Sequence, residues 1–226
     1  MAMSKRCIPY TPRNREAKES IFALVTTTGV HLRNQEPYIE DDNSWRLLPG
    51  DMQTDQLMIT HDHYDHNDAD QDINCVFPID RLRELAAEGL IGGINNKHLG
   101  FGFTQNLRDL YERAAPAMAK EIMRSQADGV IVTAGCPLCH RVATAIQREI
   151  EMTGIPTVQI TVIPESTGQA GAPRAIHPQD FQPGHNLGGP HQKSLQRQIL
   201  LDAIRRWEAR EEPGTIWELT YKQSAE

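Results

Sequence analysis

The stretch Ala127-Asp-Gly-Val-Ile-Val-Thr-Ala-Gly-Cys-Pro-Leu-Cys-His140 constrains the fold of this chain more than any other. Val130 to Thr133 is an unbroken β-branched run, as expected of a strand covered on both faces. The segment from Arg141 to Met152 has helical spacing, so the strand passes almost directly into a helix, with Cys136 and Cys139 at the junction. Pro137 suits the first helical turn, where its missing N–H is no loss. A doubly covered strand that feeds a helix belongs in a parallel sheet with helices on each side. The expected fold class is therefore α/β, a three-layer αβα sandwich with a mostly parallel sheet and its site at the carboxyl ends of the strands.

The rest of the chain reads consistently with that frame. Residues 1–19 read as a polar amino-terminal arm, 20–212 as one α/β domain and 213–226 as a tail. Ser20 to Val30 reads as a strand ending in a Thr-rich turn, His31 to Asp55 as an irregular polar loop, and Leu57 to Thr60 as a second short strand. A helix is expected from Ile79 to Glu88, stopped by Gly89. Leu90 to Ile94 is a short apolar piece, and Asn95 to Phe103 reads as a glycine-punctuated loop. The apolar spacing from Leu107 to Gln126 gives a helix that Pro116 should kink or divide. A strand from Thr157 to Ile163, an irregular Gly/Pro-rich segment from Pro164 to Pro190, and a helix from Lys193 to Arg210 complete the reading.

Composition narrows the function. A net charge of −7 and an aromatic content of 6% argue against a nucleic-acid binder, which needs a basic face and stacking platforms. No apolar window reaches the length of a membrane span, and no apolar segment follows the basic residues of the amino terminus, so the cytoplasm is the expected location. In that reducing compartment four cysteines, two of them in Cys-x-x-Cys, read as redox, catalytic or metal-binding thiols. At a strand end and helix start, backbone N–H groups and the helix dipole stabilise a thiolate, the nucleophilic and metal-binding form.

The cluster His61-Asp-His-Tyr-Asp-His66 matches the His-x-His-x-Asp-His pattern that zinc hydrolases of the metallo-β-lactamase type place after a strand. Such a set can bind zinc and lower the pKa of its water to near 7. The alternation of strands and helices is wrong for that fold, however, and it has no role for a Cys-x-x-Cys.

Several motifs occur together and in order: Thr26-Thr-Thr-Gly-Val-His31, His61-x-His-Tyr-Asp65, Asp70-x-Asp-x-Asn-Cys-Val-Phe-Pro-Ile-Asp-Arg-Leu82, the cysteine pair, Gln147-Arg-Glu-Ile-Glu151, Gly154-Ile-Pro-Thr-Val158 and a carboxyl-terminal Gln196-x-Gln-Ile-Leu200. In these the chain resembles the selenoprotein B family of glycine, sarcosine, betaine and D-proline reductases. The resemblance implies reductive carbon–nitrogen cleavage by a selenocysteine or cysteine at the position of this Cys-x-x-Cys. It also implies a partner reductase subunit, which in the D-proline enzymes carries a pyruvoyl group. This chain has cysteine at both positions, and a thiolate is a weaker nucleophile and leaving group than a selenolate. It suits an easier bond, such as carbon–sulfur, or an amine activated by a partner.

Roles follow from these readings. Cys136 is the expected nucleophile and Cys139 the resolving thiol. His61 and His63 are candidate general acids or thiolate partners, with Asp65 orienting one of them. Thr28, Gly29, His31 and Tyr64 are expected to line the substrate site. Asp72 and Asn74 match the family's acidic segment, with an Asx turn or helix cap as the alternative. Cys75 reads as a buried structural thiol, Cys7 as incidental, and Arg33 and Arg174 as solvated surface residues. Expected partners are a small carboxylated substrate, a thiol reductant or redox protein, a reductase subunit and a second copy of the chain. The residues fix no cofactor, and zinc or iron is the candidate. Two alternatives stay open: a zinc or iron lyase or hydrolase built on His61, His63 and Asp65, with Cys136 and Cys139 as further ligands, and a non-catalytic subunit of a reductase.

Overall fold

The computed structural model describes residues 7–222. Its strands are β1 (Ile21–Thr27), β2 (Val30–Leu32), β3 (Trp45–Pro49), β4 (Leu57–Ile59), β5 (Gly93–Ile94), β6 (Lys97–Phe101), β7 (Gly129–Ala134), β8 (Thr157–Ile160), β9 (Arg174–Pro178) and β10 (Thr215–Leu219). The helices are α1 (Asn67–Gln71), α2 (Ile79–Ala87), α3 (Leu107–Asp109), α4 (Ala115–Arg124), α5 (Pro137–Met152), α6 (Pro164–Ala170) and α7 (Lys193–Glu208). An eight-stranded sheet runs β10-β9-β8-β7-β1-β6-β3, with β5 also on β1, and β2 and β4 form a separate pair. Every pairing in the large sheet is parallel except β3 on β6. Among the described residues no helix is long and apolar enough to cross a membrane.

Two cores sandwich the sheet. Phe22, Leu24 and Ile131 pack toward α2 and α7 on one face, while Ala23, Val25, Val130 and Val132 pack toward α4 and α5 on the other. All six residues of β7 are buried, which is the physical content of its unbroken apolar run. From β1 the chain first builds outward to β6 and then returns to place β7 on the opposite side. The strand order therefore reverses at β1 and β7, where open α/β sheets leave a crevice beyond the strand ends.

Several expectations are corrected. The segment His31 to Asp55 contains β3, which closes one sheet edge, and Asn95 to Phe103 contains β6, a direct neighbour of β1. Pro164 to Pro190 holds α6 and β9 rather than irregular chain. The supposed tail supplies β10, the other sheet edge, so the domain extends past residue 212. The arm is also pinned: Thr11 Oγ1 donates to the Glu151 carbonyl at 2.7 Å, and the Tyr10 ring lies under the Arg174 guanidinium at 3.8 Å. The segment expected as one helix interrupted at Pro116 is divided into α3, a π turn at Leu110–Ala114 and α4, with Pro116 in the first turn of α4.

Candidate functional site

Cys136 is the N-cap of α5, in extended conformation, and its Sγ accepts the Cys139 N–H at 3.3 Å. The two sulfurs are 2.7 Å apart. From far upstream in sequence, β4 delivers His61, whose Nε2 lies 3.0 Å from Cys139 Sγ. All three side chains are buried. The turn that brings them together requires Gly29: it has φ +80°, its carbonyl accepts the Thr60 N–H at 3.0 Å, and a Cβ there would collide with the Thr60 carbonyl oxygen. Gly29 thus permits close approach of β4, not of a substrate carboxylate.

The proton inventory of the cluster is asymmetric. The His63 N–H donates to His61 Nδ1 at 3.1 Å, so the neutral ring carries its proton on Nε2, which faces the sulfurs. His61 Nε2–H donates toward Cys139 Sγ, and the Cys139 S–H and N–H both point to Cys136 Sγ. Hydrogen bonding by Cys139, followed by His61, holds the Cys136 thiol well below its ordinary range against the cost of burial. Burial and the adjacent Cys136 push Cys139 the other way. The two thiols are therefore pushed in opposite directions, Cys136 toward its thiolate and Cys139 toward its protonated form.

The histidine cluster does not act as a unit. His63 turns away to Glu40, with Nε2 3.3 Å from the carboxylate, and stacks on Phe103 at 3.6 Å. His66 pairs with Asp70 at 2.7 Å. Among the described residues the one set of three potential metal ligands is His61, Cys136 and Cys139, whose donor atoms lie within 4.8 Å of one another. Two thiolates and an imidazole can hold zinc. A ligating histidine ordinarily donates its other ring N–H to an acceptor, whereas His61 Nδ1 faces the His63 N–H. The His63 ring faces Glu40 and does not complete the four-ligand set.

The remaining expected residues divide. Tyr64 is half-buried over Gly135, packs edge-on to His61 at 4.8 Å and donates its hydroxyl to the Thr28 carbonyl at 2.8 Å. His31 is buried between the Leu32 carbonyl and Thr60 Oγ1, each at 2.8 Å, and serves the turn. Asp65 caps the Asn67 N–H at 3.1 Å. Asp72 accepts from Asn74, His191 and Gln196, and Asn74 also binds Asp80, so both brace the start of α2 against α7. They line a separate cavity of about 370 Å³ with Arg81 and Lys193. Cys75 is buried, and desolvation pushes its thiol up to about 12, which leaves it inert. Arg174, expected at the surface, is fully buried and pairs with Glu151 at 2.6 Å.

The sequence reading missed several contributors. Thr27 Oγ1 donates to the Cys139 carbonyl at 3.0 Å and ties β1 to the first turn of α5. At the exits of β1 and β7, the Thr133 hydroxyl faces both the Val76 carbonyl (2.6 Å) and Thr26 Oγ1 (2.8 Å), to either of which it can donate, and the Thr26 and Thr28 hydroxyls share a 2.7 Å hydrogen bond. Asn186 donates to the Ala134 carbonyl at 2.9 Å, and its buried Oδ1 has no partner among the described residues. Another, His140, sits directly behind Cys136. Its i+4 spacing from Cys136 was the one available signal.

A family model for glycine/sarcosine/betaine reductase selenoprotein B matches residues 4–135, ending one residue before Cys136. The D-proline reductase subunit gamma of Acetoanaerobium sticklandii is 36% identical over 218 residues, which is 96% of this chain and 90% of that protein. The glycine reductase complex component B subunit gamma of Carboxydothermus hydrogenoformans is 29% identical over 224 residues, covering 93% of this chain and 51% of the relative. The sarcosine reductase complex component B subunit beta of Peptoclostridium acidaminophilum is 26% identical over 223 residues, 93% of this chain and 50% of its own length. The chain thus spans about half the length of the glycine and sarcosine relatives. No solved structure matches it.

Proposed function

The chain belongs to the glycine/sarcosine/betaine reductase selenoprotein B family, and from that premise we propose that it is the thiol-bearing subunit of a reductase complex that cleaves a carbon–nitrogen or carbon–sulfur bond in a small carboxylated substrate. The observation that carries this reading is the buried sulfur pair at the start of α5, with Cys136 Sγ 2.7 Å from Cys139 Sγ and His61 Nε2 3.0 Å from Cys139 Sγ. One residue is ready to attack and its neighbour is ready to donate.

Cys136 thiolate attacks the carbon beside the substrate carboxylate and forms a carbon–sulfur bond as the amine or thiolate leaves with a proton from Cys139. The Cys139 thiolate then attacks Cys136 Sγ, forming the disulfide and releasing the carbon with its electron pair, which a solvent proton converts to C–H. Substrate gains two electrons and the dithiol loses two. A thiol reductant or redox protein returns the disulfide to the dithiol. The unmatched acceptor Asn186 Oδ1 supports a substrate that offers an N–H donor. Activation of a poor leaving amine falls to the partner subunit.

The test uses reduced protein with its partner subunits. Cys136→Ser is expected to abolish turnover and fast alkylation while the fold, read by circular dichroism, is kept. Cys139→Ser is expected to retain alkylation and to accumulate a covalent substrate adduct visible by mass spectrometry. Full turnover by Cys136→Ser would overturn the assignment in favour of a non-catalytic subunit. Stoichiometric zinc or iron in protein purified without chelators, with both thiols protected, would overturn it in favour of a metal centre.

A further inference from the structure

His140 is a fully buried ring that the chemistry above does not use, yet both its nitrogens are committed. Nδ1 lies 2.9 Å from the Cys136 carbonyl and Nε2 accepts the Val162 N–H at 3.2 Å. A carbonyl only accepts, so the proton is on Nδ1 and the tautomer is fixed from both sides. The Cys136 carbonyl also takes the His140 N–H at 3.1 Å, and so receives two donors from one residue. The His140 carbonyl in turn accepts from Thr144 Oγ1 at 2.9 Å and Gln159 Nε2 at 3.4 Å, while Thr161 and Thr167 share a 2.8 Å hydrogen bond behind them. These side chains are all buried. The imidazole thus clamps the exit of β7, where Cys136 stands, to the chain leaving β8.

We propose that His140 is a positioning residue for Cys136: by holding the Cys136 carbonyl it fixes the extended N-cap conformation that points Sγ at the Cys139 N–H and S–H. The inference rests on the thiol-based reading of the site. An α5 carbonyl at this position needs only the helical N–H; the second donor restricts rotation about the Cys136 backbone. Without it Sγ is free to leave the helix N-terminus, and the donors that favour the thiolate are lost. Burial drives the His140 pKa down to about 4, while the hydrogen bond to the Cys136 carbonyl and the charge on Cys136 act in the opposite sense.

The experiment is the pH dependence of Cys136 alkylation by iodoacetamide in the reduced full chain. His140→Leu is expected to slow alkylation at neutral pH by about tenfold and to raise the midpoint of the pH profile. His140→Asn, whose amide can donate to the same carbonyl, is expected to stay within about threefold of the unsubstituted protein. A merely structural role would lower thermal stability in both variants and leave the midpoint alone, and that result overturns the inference. Should His140→Leu fail to fold, ring-nitrogen resonances of isotope-labelled His140 give a second readout. They are expected to move when Cys136 is alkylated, and unmoved resonances also overturn it. A wild-type protein with no fast-reacting thiol would instead sink the thiol-based function, so the two failures are distinct.

Discussion

Cys136 and Cys139 are the same residue type three positions apart, and only the donors that reach each sulfur make them different. Cys136 receives the Cys139 N–H and S–H, whereas Cys139 is the more deeply enclosed and is itself a donor. Because hydrogen bonding by Cys139 is the largest influence lowering the Cys136 pKa, and that by His61 is smaller, the effects of removing them should rank in that order. Cys139→Ala is expected to raise the alkylation midpoint of Cys136 more than His61→Ala does. The thiolate window then narrows from its acid side, since a less stabilised thiolate is lost at a higher pH. His63→Ala is expected to change little, because that ring faces Glu40 and Phe103 while its backbone N–H does the work on His61. Rates of iodoacetamide reaction across pH for the three variants decide the ranking.

At the scale of elements, the site depends on turns that bring β4 and α5 against the exit of β1. Gly29→Ala forces a Cβ into the Thr60 carbonyl at a positive φ, and is expected to cost about 2 kcal/mol or more and to slow Cys136 alkylation by displacing His61. Gly89→Ala has a positive φ and open space, and is expected to cost only about 1 kcal/mol with no effect on the thiol. Urea unfolding of both variants measures the difference. The strands that were legible in the sequence, β1, β4, β7 and β8, carry contiguous β-branched or apolar runs. Among those that were not are β3, and also β6, β9 and β10, whose sequences Lys-His-Leu-Gly-Phe, Arg-Ala-Ile-His-Pro and Thr-Ile-Trp-Glu-Leu contain polar, glycine or proline residues. Tertiary contacts explain them: Gly100 makes room for the Val30 carbonyl and Tyr38, and Arg174 is neutralised by Glu151. The cysteine pair was legible because a helix N-cap is a local feature. Its partner was not, because alternation along a turn cannot tell that His61 enters the site while His63 leaves it.

Across the whole molecule, two buried imidazoles make stability depend on pH. His98 completes the sheet where β5 and β6 separate: its Nδ1 accepts the Leu24 N–H at 2.9 Å, while its Nε2–H is enclosed without a partner among the described residues. Desolvation pushes its pKa down to about 3, and the same cause takes His140 to about 4. An unfolded histidine titrates near 6.5. Both folded values lie below that, so the stability these rings contribute is present above pH 6.5 and is progressively lost as pH falls from there toward 4, because the unfolded chain binds protons that the folded chain refuses. Each tenfold weakening of proton binding on folding is worth about 1.4 kcal/mol, so the combined loss amounts to several kcal/mol. The two rings lie in different parts of the fold, one within the sheet between β1 and β6 and one between α5 and the exit of β8. They are not in contact through any shared hydrogen bond, so their contributions should add. Urea midpoints measured at pH 7 and pH 5 are expected to fall sharply in the unsubstituted protein and by a smaller amount in His98→Gln, which keeps an acceptor for the Leu24 N–H but cannot be protonated. Equal losses in the two proteins would show that the acid sensitivity arises elsewhere, in carboxylates such as Asp72, whose burial works to raise its pKa while hydrogen bonds from Gln196, Asn74 and His191 hold it down.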